Sequence, residues 1–265
     1  MKSSYYKYFA ALLLFGSNGI VASNINLPSY EIVLLRLLLG SLFLITVFTV
    51  SRQRFTFYRN KHTCLYLFIS ASAMGASWML LYEAYQQVGI SIASLAYYCG
   101  PVIVMILSPF LFRETLTWPK IAGFLTVLAG MCLVNLQALD EGKTIWGLFC
   151  GLMSAFMYAL MVTANKKAKP ESGLENSLLQ LVIGSFIVVA FVSMQKNFVL
   201  SLTTIDWIPV LLLGLLNTGI GCYLYFSSIT DLPVQTVAIC GYLEPLSAVV
   251  FSVLFLHEVL LPLQM

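Results

Sequence analysis

Residues 101–114 read PVIVMILSPFLFRE, and residues 245–258 read PLSAVVFSVLFLHE. A proline opens each stretch (Pro101, Pro245), a serine follows (Ser108, Ser252), and a glutamate closes it (Glu114, Glu258), every pair 144 residues apart. The same offset brings residues 29–41 (SYEIVLLRLLLGS) onto 173–185 (GLENSLLQLVIGS), matching Glu31 with Glu175, Gly40 with Gly184 and Ser41 with Ser185. Gly75 falls on Gly219 and Tyr98 on Tyr242. Matches at one constant spacing along three helix pairs exceed what leucine-rich composition produces by chance. The chain is written as two copies.

Composition says what the copies are made of. Hydrophobic residues form 60% of the 265 and charged residues only 9%, against about 25% charged in a soluble domain. Mean hydropathy is +0.90. Runs of roughly 20 apolar residues are candidates to cross a bilayer. They fall at approximately 6–23, 31–50, 64–84, 91–112, 118–136, 145–165, 175–194, 207–228 and 233–256. Lys2, Lys7 and the VAS after residue 20 imitate a secretory leader, but eight further spans behind it argue for an uncleaved first helix. The lipid bilayer is therefore the expected partner, and the chain reads as an all-α, polytopic membrane protein. Six cysteines stand singly in apolar segments, without metal-ligand spacing, and read as buried small hydrophobes.

Cytoplasmic loops carry an excess of Lys and Arg. With the N-terminus inside, eleven of the fourteen basic residues fall inside, Lys143 and Lys196 fall outside, and Arg36 lies within a span. This bias predicts a multi-pass protein of the cell (inner or plasma) membrane with a cytoplasmic N-terminus. The net charge of +3 is that bias and marks no basic domain for a nucleic-acid partner. A repeat of five helices is odd, so the second copy is expected upside down relative to the first. Residues 1–136 form the first repeat and 145–265 the second, with nine helices present and the tenth truncated at Met265. His257 then stands outside, where the copy has Arg113 inside, as the positive-inside bias requires.

Inverted repeats mark secondary transporters, with the substrate near the midplane between the halves. Pro101 and Pro245 lie about midway along their spans, where a proline frees a carbonyl that needs another partner or a water-filled cavity. Arg36 in LLRLLLGS, the FRE and LHE endings and the LEPLSAVVFSVLFLHE run resemble the EamA-type branch of the drug/metabolite transporter superfamily, over the whole chain. The resemblance implies ten helices and a central cavity between helices one to four and six to nine. It implies movement of metabolites such as amino acids, amines or drugs. The missing tenth helix departs from that pattern, and appending it is expected to raise stability.

Ionisable groups within spans cost about 2.5–3.5 kcal/mol each on insertion scales and are functional candidates by default. Arg36, Glu83 and Glu244 qualify. Glu244 is the deepest and directly precedes Pro245, which suits a coupling-proton site or a receptor for a substrate amine. Arg36 suits an anionic group; near the outer end of its span it and Glu83 have the alternative of snorkelling or pairing with each other. Trp78, Tyr82 and Tyr85 share one helix face, and Tyr98 and Tyr242 occupy equivalent positions beside the prolines. Their rings suit a planar or cationic ligand, although Trp78 and Tyr82 also fit an interfacial belt. Asn18 in FGSNGI and Asn217 in LLNTGIG line the same space or bind helix to helix.

No phosphate-binding GxxxxGK[ST] loop exists to use ATP, NTGIGC follows no strand, and His62 and His257 fall at opposite membrane faces. No cofactor, metal or catalytic residue is expected. The reading is a secondary transporter, an exporter, of a small-molecule substrate such as an amino acid or aromatic amine. The alternatives are a membrane-embedded enzyme and a channel.

Overall fold

A computed structural model describes residues 2–134, 145–194 and 207–256, and the fold across them is helical, with no strand among the described residues. Seven helices are long and apolar enough to span a membrane, at Tyr30–Val50, Lys61–Gly89, Ile92–Phe112, Ile145–Ala168, Gly173–Ser193, Trp207–Ser228 and Val234–Phe255. The two other expected spans are also helical in their described residues. The first is split into α1 (Lys2–Gly16) and α2 (Asn18–Ser23), and α6 (Trp118–Val134) runs to the last residue described before 145. His257, Glu258 and the start of the expected tenth helix lie outside the described residues.

The 144-residue spacing reappears in the helix boundaries. α3 (Ser29–Val50) and α8 (Gly173–Ser193) begin at that offset, as do α5 (Cys99–Phe112) and α12 (Leu243–Leu256). α4 (Lys61–Tyr97) reverses at Gly89, whose φ of 78° is one that only glycine adopts freely. Its last residues lead through a break at Tyr98 into α5. In the second half α11 (Val234–Cys240) leads through Gly241 and Tyr242 into α12 in the same way. Past the end of α5, Glu114 binds the backbone amides that start α11, so the two broken helices run in opposite directions.

Each proline is the third residue of the segment after its break. The first four N–H groups of a helix have no partner within it, so a proline there removes no bond. The carbonyls beside the breaks are satisfied within the protein: Tyr98 O accepts from the Tyr242 hydroxyl at 2.8 Å, and Gly241 O from Glu244 N at 3.2 Å. For these two carbonyls the partner lies in the protein itself.

Two contacts join a residue to its own counterpart, Ser41 Oγ to Ser185 Oγ at 3.0 Å and Tyr98 to Tyr242. A two-fold operation can bring a residue onto its own copy only on the axis, so these pairs mark the line between the halves. Away from it, contacts come in matched sets. A Cβ at Gly75 in α4 would lie 2.9 Å from Ile187 of α8, and one at Gly219 would lie 2.7 Å from Phe43 of α3. Glycine lets these helices approach with no side chain between them. Gly75→Val is therefore expected to force α4 from α8 at a cost of about 1–3 kcal/mol. It should lower the thermal midpoint of purified protein, whereas Gly123→Ala, with nothing within 4 Å, should not lower it.

Three helix ends carry the cationic residues that the orientation argument counted inside. α3 and α5 end at Arg52 and Arg113, and α7 (Ile145–Ala168) at Lys169, each with a positive φ of 51°, 56° and 48°. A left-handed residue other than glycine is strained. A cation at a helix C-terminus offsets part of that strain by facing the negative end of the dipole. The turn at Arg113 also ends α5 just before Glu114 caps α11.

Candidate functional site

Arg36 is buried in α3. Its guanidinium lies 4.6 Å from the Trp78 ring centroid, and its Nε donates to Thr218 Oγ1 at 2.9 Å. The Tyr82 hydroxyl is within its electrostatic reach. Arginine suits this place because its planar group stacks on an indole while its edge still donates. Thr218 belongs to a π-helical segment, Leu212–Ile220, which continues α9 (Trp207–Leu211) into α10 (Gly221–Ser228). Its hydroxyl donates to Leu213 O, five residues back, at 2.8 Å. Wide turns of this kind recur at functional sites.

The same segment presents Asn217 on another side. Its Nδ2 lies 2.9 Å from each of Leu14 O, Ser17 Oγ and Asn18 Oδ1, at the break between α1 and α2. Asn18 and Asn217 therefore bind each other and hold the broken first helix. Gly16, just before the break, packs against α12: a Cβ there would lie 2.0 Å from Ser247 Oγ and 3.0 Å from Glu244 O.

Glu244 follows the break into α12, lies deep in the protein and is still partly accessible. Its charge is within reach of the hydroxyls of Tyr8, Tyr85, Tyr97, Tyr98 and Tyr158. Arg36 acts on it as the nearby opposite charge. Rings link these tyrosines: Tyr97 lies 5.6 Å from Tyr98 and 5.5 Å from Tyr158, and the Tyr158 hydroxyl lies 3.3 Å from that of Tyr225. The Glu244 carboxylate and the Arg36 guanidinium, one from each half of the chain, thus stand within each other's electrostatic reach, with tyrosines around the carboxylate.

The structure places Trp78 against Arg36, Tyr82 within reach of the guanidinium, and Tyr98 within reach of Glu244. Tyr242 is buried and uses its hydroxyl on Tyr98 O. Glu83 lies apart: its Oε1 accepts from Gln87 at 3.1 Å and from Trp146 at 3.3 Å. Tyr8 and Tyr97 were missed in the sequence. Tyr97 had a signal, standing beside Tyr98 in LAYYCGP, whereas Tyr8 resembles any aromatic residue of an apolar helix.

A body of membrane-length apolar helices with a pair of oppositely directed broken helices, and charged groups buried within it, has the build of a membrane transporter. The chain matches the EamA-like transporter family over residues 3–136 and 145–265, and it belongs to that family. It is 27% identical over 256 residues to the uncharacterized transporter YxxF of Bacillus subtilis (strain 168), covering 94% of this chain and 80% of that one. To the threonine/homoserine exporter RhtA of Escherichia coli (strain K12) it is 27% identical over 232 residues, covering 87% and 75%. A crystal structure with 16% sequence identity superposes with a TM-score of 0.84 over 100% of this chain and 92% of the other, a likeness of fold.

Proposed function

We propose that the protein is a secondary transporter that exports a small zwitterionic or amine-bearing metabolite, of which an amino acid is the best-fitting class. The observation that carries this reading is the buried Arg36 guanidinium on Trp78 with the Glu244 carboxylate, from the other half of the chain, as the opposite charge within its reach. A zwitterion presents a carboxylate and an ammonium together, which these two groups complement, and the tyrosine rings accept a cation or stack on a planar group. The name of the RhtA relative, a threonine/homoserine exporter, supports both substrate class and direction. Alternating access by rocking the halves about the site is the working mechanism. Glu244 carries either the coupling proton or the substrate ammonium.

Purified protein in liposomes is expected to accumulate a labelled amino acid unchanged, with saturation and counterflow. Flux without saturation would point to a channel, and chemical conversion of the solute to an enzyme.

The N-terminus is assigned to the cytoplasm of a cell membrane on the eleven-to-two division of basic residues. Gln86 and Glu171 are exposed and lie at opposite ends of the body. In a variant freed of native cysteines, an impermeant thiol reagent applied to intact cells should label Gln86→Cys and spare Glu171→Cys. The reverse pattern would invert the orientation.

A further inference from the structure

One turn at the basic end of the body is gripped from three sides. It joins α10 to α11 and carries Asp231. From α7, Lys166 Nζ donates to Thr230 O at 2.5 Å and Leu232 O at 2.6 Å. Past the end of α5, Glu114 accepts from Val234 N at 2.7 Å and Gln235 N at 2.9 Å. From α1, Ser4 Oγ donates to Asp231 Oδ2 at 2.8 Å. The ammonium satisfies carbonyls of the turn itself, and the carboxylate on the amides that start α11 complements that helix's dipole. Ser4 and Glu114 come from one half of the chain and the turn from the other, so this grip ties the halves together.

The counterpart turn, 144 residues earlier, is built otherwise. It reverses at Gly89, where an added Cβ would meet nothing within 4 Å. The position equivalent to Lys166 is Ala22, which has no side-chain donor. One end of the pathway has a clamp made of opposite charges, and the other has no lysine to match it.

We propose that the Lys166–Glu114 clamp is the latch of a gate at the basic end, and that this structure has that gate shut. While Lys166 and Glu114 hold the turn, α11 stays against α5 and α1 and blocks the route from Glu244 to the basic end. Freeing the turn lets α11 and the start of α12 swing away together. The inference rests on the alternating-access reading above, because a gate at one end has meaning only where a pathway joins the two.

The test reads accessibility, which does not depend on knowing the substrate. Ala238 is buried in α11 behind the clamp, and Ala84 is buried in a separate cluster in α4. Each is replaced singly by Cys in the full chain freed of native cysteines, and alkylation by N-ethylmaleimide is timed in purified protein. Lys166→Met, alone and with Glu114→Gln, is expected to speed alkylation at 238 at least tenfold and leave 84 unchanged. Lys166→Arg, which keeps the donors and the charge, should stay within about twofold of the parent. Equal acceleration at 238 and 84 would show general unfolding and overturn the latch, as would an unchanged rate at 238 in the double variant. Faster alkylation at 238 alone, in a protein that moves no solute, would keep Lys166 and Glu114 as the tie that holds α11 in place and overturn the gate together with the transport reading.

Discussion

Replacing Glu244 with Gln is expected to reduce uphill transport at least tenfold while the protein folds and purifies normally. The substitution preserves shape and removes the charge from a place where a carboxylate is costly to keep without a role. The side chain sits among tyrosine hydroxyls with Arg36 as the nearby opposite charge, so its protonation state changes the field of the whole site. Two assays on the same preparation separate its roles. If Glu244 carries the coupling proton, exchange of labelled for unlabelled substrate continues in the Gln variant after uphill transport fails. If it holds the substrate ammonium, exchange fails as well. Wild-type rates in both assays would make Glu244 a structural residue.

Removing Arg36 is the second large effect. A hydrogen bond to a charged group contributes about 1.5–3 kcal/mol. Arg36→Leu is therefore expected to weaken binding of a carboxylate-bearing substrate about 10- to 150-fold. Arg36→Lys keeps the charge but loses the planar stack on Trp78 and the directed donor to Thr218, so it should recover only part of the loss. A competition series separates substrate recognition from damage to the fold. An amine lacking the carboxylate should bind the parent and the Leu variant alike, while the amino acid should distinguish them. Equal weakening of both ligands would assign Arg36 to holding α3, α4 and the π segment together.

The repeated proline helix was open to reading because each copy keeps its proline, serine and glutamate at one spacing. Helix content and spans followed from apolar runs of membrane length, and the splitting of the first span follows from the Gly16–Ser17 pair. A Gly/Ser pair is a common cause of helix kinks, yet in the sequence it looked like any small-residue stretch. The site was legible where a charge stood inside a span, as at Arg36 and Glu244. It was illegible where function depends on which chain end arrives nearby. Glu114 looked like the end of a helix and proved to cap a helix in the other half of the chain. Glu83 looked equivalent to Arg36 by depth, but its partners come from its own helix and from Trp146 of α7. Lys166 counted only as one inside charge among eleven.

The π segment at Leu212–Ile220 works as a phase shifter in the helix that contains it. Each α-helical residue turns the chain by about 100° and a wide turn by less, and at this setting Asn217 faces the broken first helix while Thr218, its neighbour, faces Arg36. A residue inserted there as regular α-helix, instead of being taken up by the wide turn, would rotate everything beyond it by about that angle. Cys222 and Tyr225 would then turn off their present bearings, and the Tyr158–Tyr225 link would part. Length in this stretch is thus an angular setting, and the residues that carry it need not touch a substrate to decide what faces one.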